Sequence, residues 1–134
     1  STVSGEGKTF VALNLAGILA FGDKKVILVD LDMRKPKIHK GFGVENRIGV
    51  STLLIGKSTI NETIRKSTLN NLDYITAGPI PPNPAELVIS EKMDEIIDAL
   101  KGTYDYIVLD TPPVGLVTDG VALLQKADFP LYIF

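Results

Sequence analysis

Short runs of β-branched and aromatic residues alternate along the chain with longer segments of helical spacing. Four runs are compact enough to be strands buried on both faces, namely KVILVDLD (25–32), LDYITAG (72–78), YDYIVLD (104–110) and PLYIF (130–134). Strands separated by helices in this rhythm form βαβ units, in which consecutive strands run parallel. The alternation therefore predicts an α/β fold with a mostly parallel sheet flanked by helices. With 134 residues, 45% of them hydrophobic, the chain is sized for one domain.

The segments between these runs predict the helices. Apolar residues recur at helical spacing from Val11 until Gly22, where a left-handed cap is easily formed. Further helices are predicted in segments 50–56 and 59–67, in segment 83–102 as one broken or two abutting helices, and in segment 118–127. The proline-dense segment 77–84 predicts a stiff loop at the end of a strand, because proline fixes φ and removes a backbone donor.

Charge and residue types exclude several classes of function. A net charge of −2 without a basic arm predicts that nucleic acid is not a partner. The absence of cysteine excludes disulfides and thiolate metal sites. No apolar run approaches the roughly 20 residues that a membrane-spanning helix needs.

The stretch SGEGKT near the start has the composition of a phosphate-binding loop. Gly5 and Gly7 allow the backbone N–H groups to fold around an anion, and a helix beginning near Lys8 adds its positive N-terminal end. Lys8 would reach the β- and γ-phosphates of a nucleotide, while the Thr9 hydroxyl would ligate Mg²⁺. Thr2 replaces the first glycine of the full loop pattern, so a glycine-rich turn that merely starts a helix is the alternative.

Three aspartates follow hydrophobic strands. Asp30 and Asp32 lie at the carboxyl end of one strand, where the alternation of a strand points both to the same face. Asp110 ends another strand in the position of a Walker B acid that holds Mg²⁺ directly or through water. Because ligands bind beyond the carboxyl ends of parallel strands, we expect the three acids and the loop to meet there.

These motifs resemble those of the bacterial tyrosine kinases, or BY-kinases, which form the cytoplasmic domain of exopolysaccharide and capsule chain-length regulators. SGEGKT, VDLDMRKP and YIVLDTPPV are similar to the Walker A, Walker A′ and Walker B motifs of that family. GVSTLLIG and AGPIPPNPAELVIS match as well, so the resemblance covers nearly the whole chain.

The resemblance implies a P-loop NTPase-like fold that binds ATP and Mg²⁺ and phosphorylates tyrosine. Mg²⁺ would be held by Thr9 and, directly or through water, by Asp32 and Asp110. The catalytic set would be Lys8, Asp30 and Asp32, with Asp30 as the base that accepts the tyrosine proton. The predicted nucleotide-binding residues are Ser4, Gly5, Glu6, Gly7, Lys8, Thr9 and Phe10.

The resemblance also implies partners and a location. The acceptor would be the tyrosine-rich C-terminal tail of the same or a neighbouring subunit in a homo-oligomer. A transmembrane activator, as a fused domain or a separate protein, would hold the kinase on the cytoplasmic side of the plasma membrane. We expect residues 1–134 to be a fragment of this P-loop kinase domain, without its first strand and its tail.

Other interpretations stay open on the residues alone. Septum-site and plasmid-partition ATPases, which are non-kinase switches, carry an additional lysine five residues before the invariant one, and that position is Val3 here. A catalytically silent regulatory domain is a third possibility, since fold does not fix function. The basic residues Arg34, Lys35, Lys37 and Lys40 either steer an acidic tyrosine tail or form a solvated face.

Overall fold

The computed structural model describes residues 5–111, 120–125 and 130–133, whose strands form one open sheet in the order β2-β3-β1-β4-β5-β6. The central pairs, β1 with β3 and β1 with β4, are parallel, while the three outer pairs are antiparallel. The sheet is thus mixed, and the predicted α/β class is confirmed. The strands are β1 (Val26–Asp30), β2 (Arg65–Lys66), β3 (Leu72–Ile75), β4 (Tyr106–Thr111), β5 (Gly120–Gln125) and β6 (Pro130–Ile133).

Six helices accompany the strands in the described part of the chain. They are α1 (Gly5–Phe21), α2 (Ile38–Phe42), α3 (Val50–Leu54), α4 (Ile60–Thr63), α5 (Pro84–Val88) and α6 (Glu91–Lys101). The predicted segment 83–102 forms two helices, because the Ser90 side chain accepts a hydrogen bond from the Met93 N–H and so starts α6. Within the described ranges, none of these helices has the length and apolarity needed to cross a bilayer.

The sheet separates two apolar cores. Val26, Leu28 and Val108 pack on one face against α1, which presents alanines at every fourth position there. The other face carries Ile27, Val29 and Ile107 and packs against α3 and α6. Because side chains alternate along a strand, the even-numbered Asp30 and Asp110 lie on the α1 face.

Segment 118–127 was predicted to be a helix, and this prediction is wrong over Gly120–Gln125, which form β5. All six residues pair antiparallel with β4 along the edge that β1 leaves open. Val121 and Leu123 are buried in the α1 core, and Ala122 is buried in the opposite core. A short contiguous apolar run suits a buried strand as well as a helix. This segment forms a strand because the edge of β4 has backbone N–H and C=O groups that need hydrogen-bond partners.

The predicted helix over segment 59–67 is too long. Helix α4 ends at Thr63, and Arg65–Lys66 form β2, antiparallel to the edge of β3. The β-branched Ile64 has extended backbone dihedrals, which end the helix. Helix α2 was not predicted, because a five-residue helix with one buried residue, Ile38, is too short to show a helical pattern of apolar residues.

The predicted loop 77–84 follows β3 and is held against the start of α3. The Asn46 amide makes two hydrogen bonds to the backbone of Gly78, at 2.7 and 2.9 Å. Gly49 lies so close to this loop that a Cβ atom there would be 2.2 Å from the carbonyl oxygen of Thr76. Only a residue without a side chain fits at this position.

Gly49→Ala should therefore destabilise the protein by about 2–3 kcal/mol, in the upper part of the range for overpacking of a closely packed site. The clash is with backbone, which no side-chain movement can relieve. The matched control is Gly102→Ala, whose Cβ would meet its nearest atom at 3.4 Å. We expect the control to unfold in urea within about 1 kcal/mol of the wild type; equal losses from both variants would contradict the prediction.

Candidate active site at the carboxyl ends of the parallel strands

Thr9 joins the glycine-rich stretch to the Walker B-type acid. Its Oγ1 donates a hydrogen bond of 3.1 Å to Oδ2 of Asp110, across 101 residues of sequence. Both residues are buried, with Asp110 only 2% exposed. The contact forms because α1 lies along β4 with its first turns over the carboxyl end of that strand.

The first turn of α1 contains the loop motif itself. The helix begins at Gly5, three residues before the predicted start near Lys8. Glycine adopts helical as well as loop dihedrals, so Gly5 and Gly7 permit this earlier start. The N–H groups in the first turn of a helix have no partner within it, and they suit an anion. The motif thus lies at the positive end of a 17-residue helix.

Asp30 is completely buried and organises the segment that follows β1. Its Oδ1 accepts the N–H of Asp32 at 3.0 Å, and its Oδ2 accepts those of Lys37 and Ile38 at 3.1 and 3.2 Å. The polypeptide between residues 31 and 38 therefore curves around this carboxylate. Asp30 determines the position of the loop in addition to any role in proton transfer.

The carboxyls of Asp30 and Asp110 face each other across β1 and β4. The two residues are direct partners in the parallel register, so their side chains lie on the same face. Burial, together with the negative charge of Asp110, raises the pKa of Asp30 to about 7, although the three backbone N–H groups oppose the rise. A carboxyl that titrates near neutral pH can both accept and release a proton under physiological conditions.

Asp32 takes a different position from the other two acids. It lies beyond the end of β1 and is only partly buried. Its Oδ1 accepts the N–H of Lys35 at 3.1 Å, as in a turn. Asp32 thus lies in the loop that Asp30 organises and is more accessible to a ligand than Asp30 is.

The oxygen donors of this site suit Mg²⁺ together with a nucleotide. In the described residues no three or more Asp, Glu or His side chains are arranged to hold a metal by themselves. Mg²⁺ is usually held by one or two carboxylates together with substrate phosphates and water, so a complete protein cage is not required. The hydroxyl of Thr9 and the carboxylate of Asp110 provide hard oxygen ligands beside the start of α1.

Comparisons with known proteins identify the family of the chain. A family model described as an AAA domain matches residues 3–129. The tyrosine-protein kinase YwqD of Bacillus subtilis is 43% identical over 128 residues, which cover 96% of this chain and 54% of YwqD. The kinase domain of the Escherichia coli tyrosine kinase ETK superposes with a TM-score of 0.78 at 38% identity, covering 84% of this chain and 44% of that one. The chain belongs to the bacterial tyrosine-kinase family of AAA domains.

A septum-site protein shares the fold at a greater distance. MinD of Pyrococcus horikoshii, solved in complex with Mg-ADP, has a TM-score of 0.69 at 30% identity, with 87% of this chain and 48% of that chain covered. Both values are lower than those for the ETK kinase domain. The chain spans about half the length of YwqD.

The structure of this kinase-family domain brings together part of the predicted site. Thr9, Asp30 and Asp110 lie together at the carboxyl ends of β1 and β4, and Asp32 follows in the adjoining loop. Ser4 lies outside the described residues. Gly5, Glu6, Gly7 and Lys8 lie in the first turn of α1, and the side chain of Phe10 is 67% exposed.

The sequence did not predict the backbone contacts that hold Asp30 in the kinase-family domain. The N–H groups of Lys37 and Ile38 are seven and eight residues away from Asp30, a separation with no recurrent motif. Asp32 and Pro36 are local signals of a turn in this segment, but neither predicts which backbone groups meet Asp30. The sequence also did not predict the contact between Asp73 and Tyr104. The Tyr104 hydroxyl donates a hydrogen bond of 2.5 Å to Oδ2 of Asp73, which joins β3 to the residues just before β4 at the amino ends of these strands.

Proposed function

We propose that this domain transfers the γ-phosphoryl group of ATP to a tyrosine hydroxyl. The observation that carries the proposal is the hydrogen bond between Thr9 and Asp110, which joins the phosphate-loop motif to a buried acid beside Asp30. This arrangement combines a nucleotide site with a carboxylate suited to proton transfer. The similarity to tyrosine-protein kinases over nearly the whole chain supports the same reaction.

The phosphates of ATP would lie against the start of α1. The N–H groups from Gly5 to Lys8 and the ammonium group of Lys8 would neutralise the charge of the β- and γ-phosphates. Ser4, Glu6 and Phe10 belong to the same predicted nucleotide site. Thr9 and, directly or through water, Asp32 and Asp110 would hold Mg²⁺, which would neutralise negative charge on the phosphates.

Asp30 would act on the acceptor. The tyrosine hydroxyl gives its proton to the carboxylate of Asp30 as its oxygen bonds to the γ-phosphorus, and the bond from that phosphorus to the β–γ bridging oxygen breaks to release ADP. An ordinary tyrosine has a pKa of about 10, so a carboxylate beside it assists the attack. Oδ1 of Asp30 accepts one described N–H and retains a lone pair for the proton.

The intact protein would act at the cytoplasmic side of the plasma membrane. We infer that a transmembrane activator, fused or separate, regulates it, and that its acceptor is a tyrosine-rich tail of its own or a neighbouring subunit in a homo-oligomer. The cellular process would be the synthesis or export of exopolysaccharide or capsule. These inferences rest on the family, whose members extend well beyond the span of this chain.

The reaction class is tested with the intact parent protein, radiolabelled ATP and Mg²⁺. Label on protein tyrosine supports the kinase. Release of free phosphate without phosphotyrosine would instead indicate an ATPase switch, and no turnover would indicate a silent regulatory domain. Val3 and the lower similarity to MinD favour the kinase over the switch.

Asp110→Asn should weaken ADP binding in the presence of Mg²⁺ by about 10-fold or more, since a changed carboxylate in a metal site costs 10–100-fold in affinity. Asparagine still accepts the hydrogen bond from Thr9, so the fold is retained. The effect should disappear when EDTA removes Mg²⁺ in the calorimetry.

The matched control for Asp110→Asn is Asp73→Asn, which changes a carboxylate that also accepts a hydroxyl hydrogen bond but lies far from the site. The control should bind Mg·ADP like the wild type. If Asp110→Asn bound Mg·ADP as tightly as the control does, Asp110 would not belong to the metal site.

A further inference from the structure

A cavity of about 250 Å³ opens beside Thr9. It lies between the start of α1 and the segment that contains α2. Its lining combines a hydroxyl, an aromatic side chain, an aliphatic side chain and two cations, from Thr9, Phe10, Leu13, Lys37 and Lys40. The steering of an acidic tyrosine tail, which is one of the two predicted roles of Lys37 and Lys40, accounts for the cations of this cavity but not for its apolar lining.

The cavity shares two of its walls with the candidate active site. Thr9 donates its hydroxyl hydrogen bond to Asp110 on one side. On the other side, Lys37 donates its backbone N–H to Oδ2 of Asp30. A group that entered the cavity would therefore lie next to the residues proposed for metal binding and proton transfer.

The apolar part of the lining suits an aromatic ring. Phe10 is 67% exposed, and Leu13, which also lines the cavity, is partly buried. A ring stacked on Phe10 would cover apolar surface that is now in contact with water, and aromatic pairs prefer such offset arrangements.

The charged part of the lining suits carboxylates. Segment 33–44 contains four lysine or arginine residues and no acidic residue. In the described part of the chain, neither Lys37 nor Lys40 forms an ion pair. The nearby Asp30 is completely buried and does not line the cavity. The rim of the cavity is therefore electropositive.

We propose that this cavity receives the acceptor tyrosine and that Lys37 and Lys40 select tyrosines flanked by acidic residues. The proposal rests on the kinase function proposed above and identifies its substrate class. The tyrosine ring lies on Phe10 and Leu13, and the flanking carboxylates pair with the two ammonium groups. The Phe10 side chain is thereby assigned to the acceptor, whereas the loop motif placed Phe10 in the nucleotide site.

The test measures phosphorylation by the intact parent protein of three synthetic peptides with one tyrosine each, flanked by Glu, Gln or Lys. We expect the KM for the Glu peptide to be about tenfold lower than for the Gln peptide, as two partly exposed ion pairs contribute modestly. Lys37→Glu/Lys40→Glu should remove this preference and favour the Lys peptide. The readout is the ratio of the KM values for the Glu and Gln peptides, and the KM for ATP is measured beside it.

The matched control is Lys24→Glu/Lys57→Glu, which changes the net charge equally at two exposed lysines outside the cavity. It should retain the wild-type preference. The peptide series with the wild type requires no variant, so the proposal remains testable even if the double variant fails to fold.

The outcomes separate this proposal from the kinase function. Equal KM values for the Glu and Gln peptides, or phosphotyrosine on the parent protein and none on any peptide, would overturn the acceptor cavity alone. A higher KM for ATP with an unchanged peptide preference in Lys37→Glu/Lys40→Glu would assign the cavity to the nucleotide. Absence of phosphotyrosine from both the protein and the peptides would overturn both proposals.

Discussion

Lys8→Met should reduce the affinity of the parent protein for ADP and ATP by at least about 100-fold, because an ammonium group contributes charge-assisted hydrogen bonds to the phosphates that methionine cannot make. The lysine follows the two glycines of the motif, in the first turn of α1. Methionine keeps the length and the helix propensity of the side chain, so the helix itself should persist. Isothermal calorimetry with ADP, with and without Mg²⁺, measures the loss.

Lys57→Met is the matched control for the loss of the Lys8 ammonium group. Lys57 is an exposed lysine after α3 and lies outside the candidate site. The control should bind ADP like the wild type, and both variants should retain the wild-type circular dichroism. Undiminished ADP binding by Lys8→Met would show that the glycine-rich stretch only starts a helix.

Asp30→Asn should lower phosphotransfer to tyrosine by roughly 10²-fold or more, the usual contribution of a general base. Binding of Mg·ADP should stay within a few-fold of the wild type. Asparagine keeps one acceptor oxygen and so loses only part of the hydrogen bonds that Asp30 accepts. All of these bonds come from N–H groups of residues 32, 37 and 38, in the segment after β1. The start of α1 is not attached to this carboxylate by any described hydrogen bond.

A pH profile separates proton transfer at Asp30 from the positioning of its loop. A base acts when it is deprotonated, so wild-type phosphotransfer should rise with pH and level off near or above the Asp30 pKa, which is about 7 without ligand. Bound Mg²⁺ favours the charged form and should move the midpoint to lower pH. The residual activity of Asp30→Asn should lose this dependence, whereas a purely positioning role would leave it unchanged.

Phosphotyrosine immunoblotting of the wild-type and variant parents, each with its own tail, completes the test of Asp30. Asp73→Asn is again the control, since its carboxylate lies in the same sheet but outside the site. Equal phosphotyrosine in the wild type and Asp30→Asn would remove Asp30 from the mechanism. No phosphotyrosine in the wild type would exclude the kinase assignment itself.

The local pattern of the sequence was sufficient for the centre of the fold. The segments predicted as strands at 25–32, 72–78 and 104–110 contain β1, β3 and all of β4 except Thr111. Each is a contiguous run of apolar residues, as expected for a strand covered on both faces. The position of each aspartate at a strand end also follows from the sequence, because a charged residue ends an apolar run.

The outer part of the sheet required the tertiary structure. Segment 120–125 has an apolar run that fits either a helix or a buried strand, and its pairing with the free edge of β4 decides the outcome. The strand predicted in segment 130–134 contains β6, but it pairs antiparallel with β5. Pairing partners are remote in sequence, so no local pattern contains them.

The candidate site divides in the same way between sequence and structure. The residue types of Lys8, Thr9, Asp30 and Asp110 predict a chemistry of phosphate, metal and proton transfer, and this prediction needs the sequence alone. Only the parallel register of β1 and β4 places Asp30 opposite Asp110, and only the packing of α1 brings Thr9 to the same point. These two contacts join residues that are about 80 and 100 positions apart in the sequence. The pKa of Asp30 is raised mainly because the folded chain buries its carboxyl, which the residue type alone does not determine.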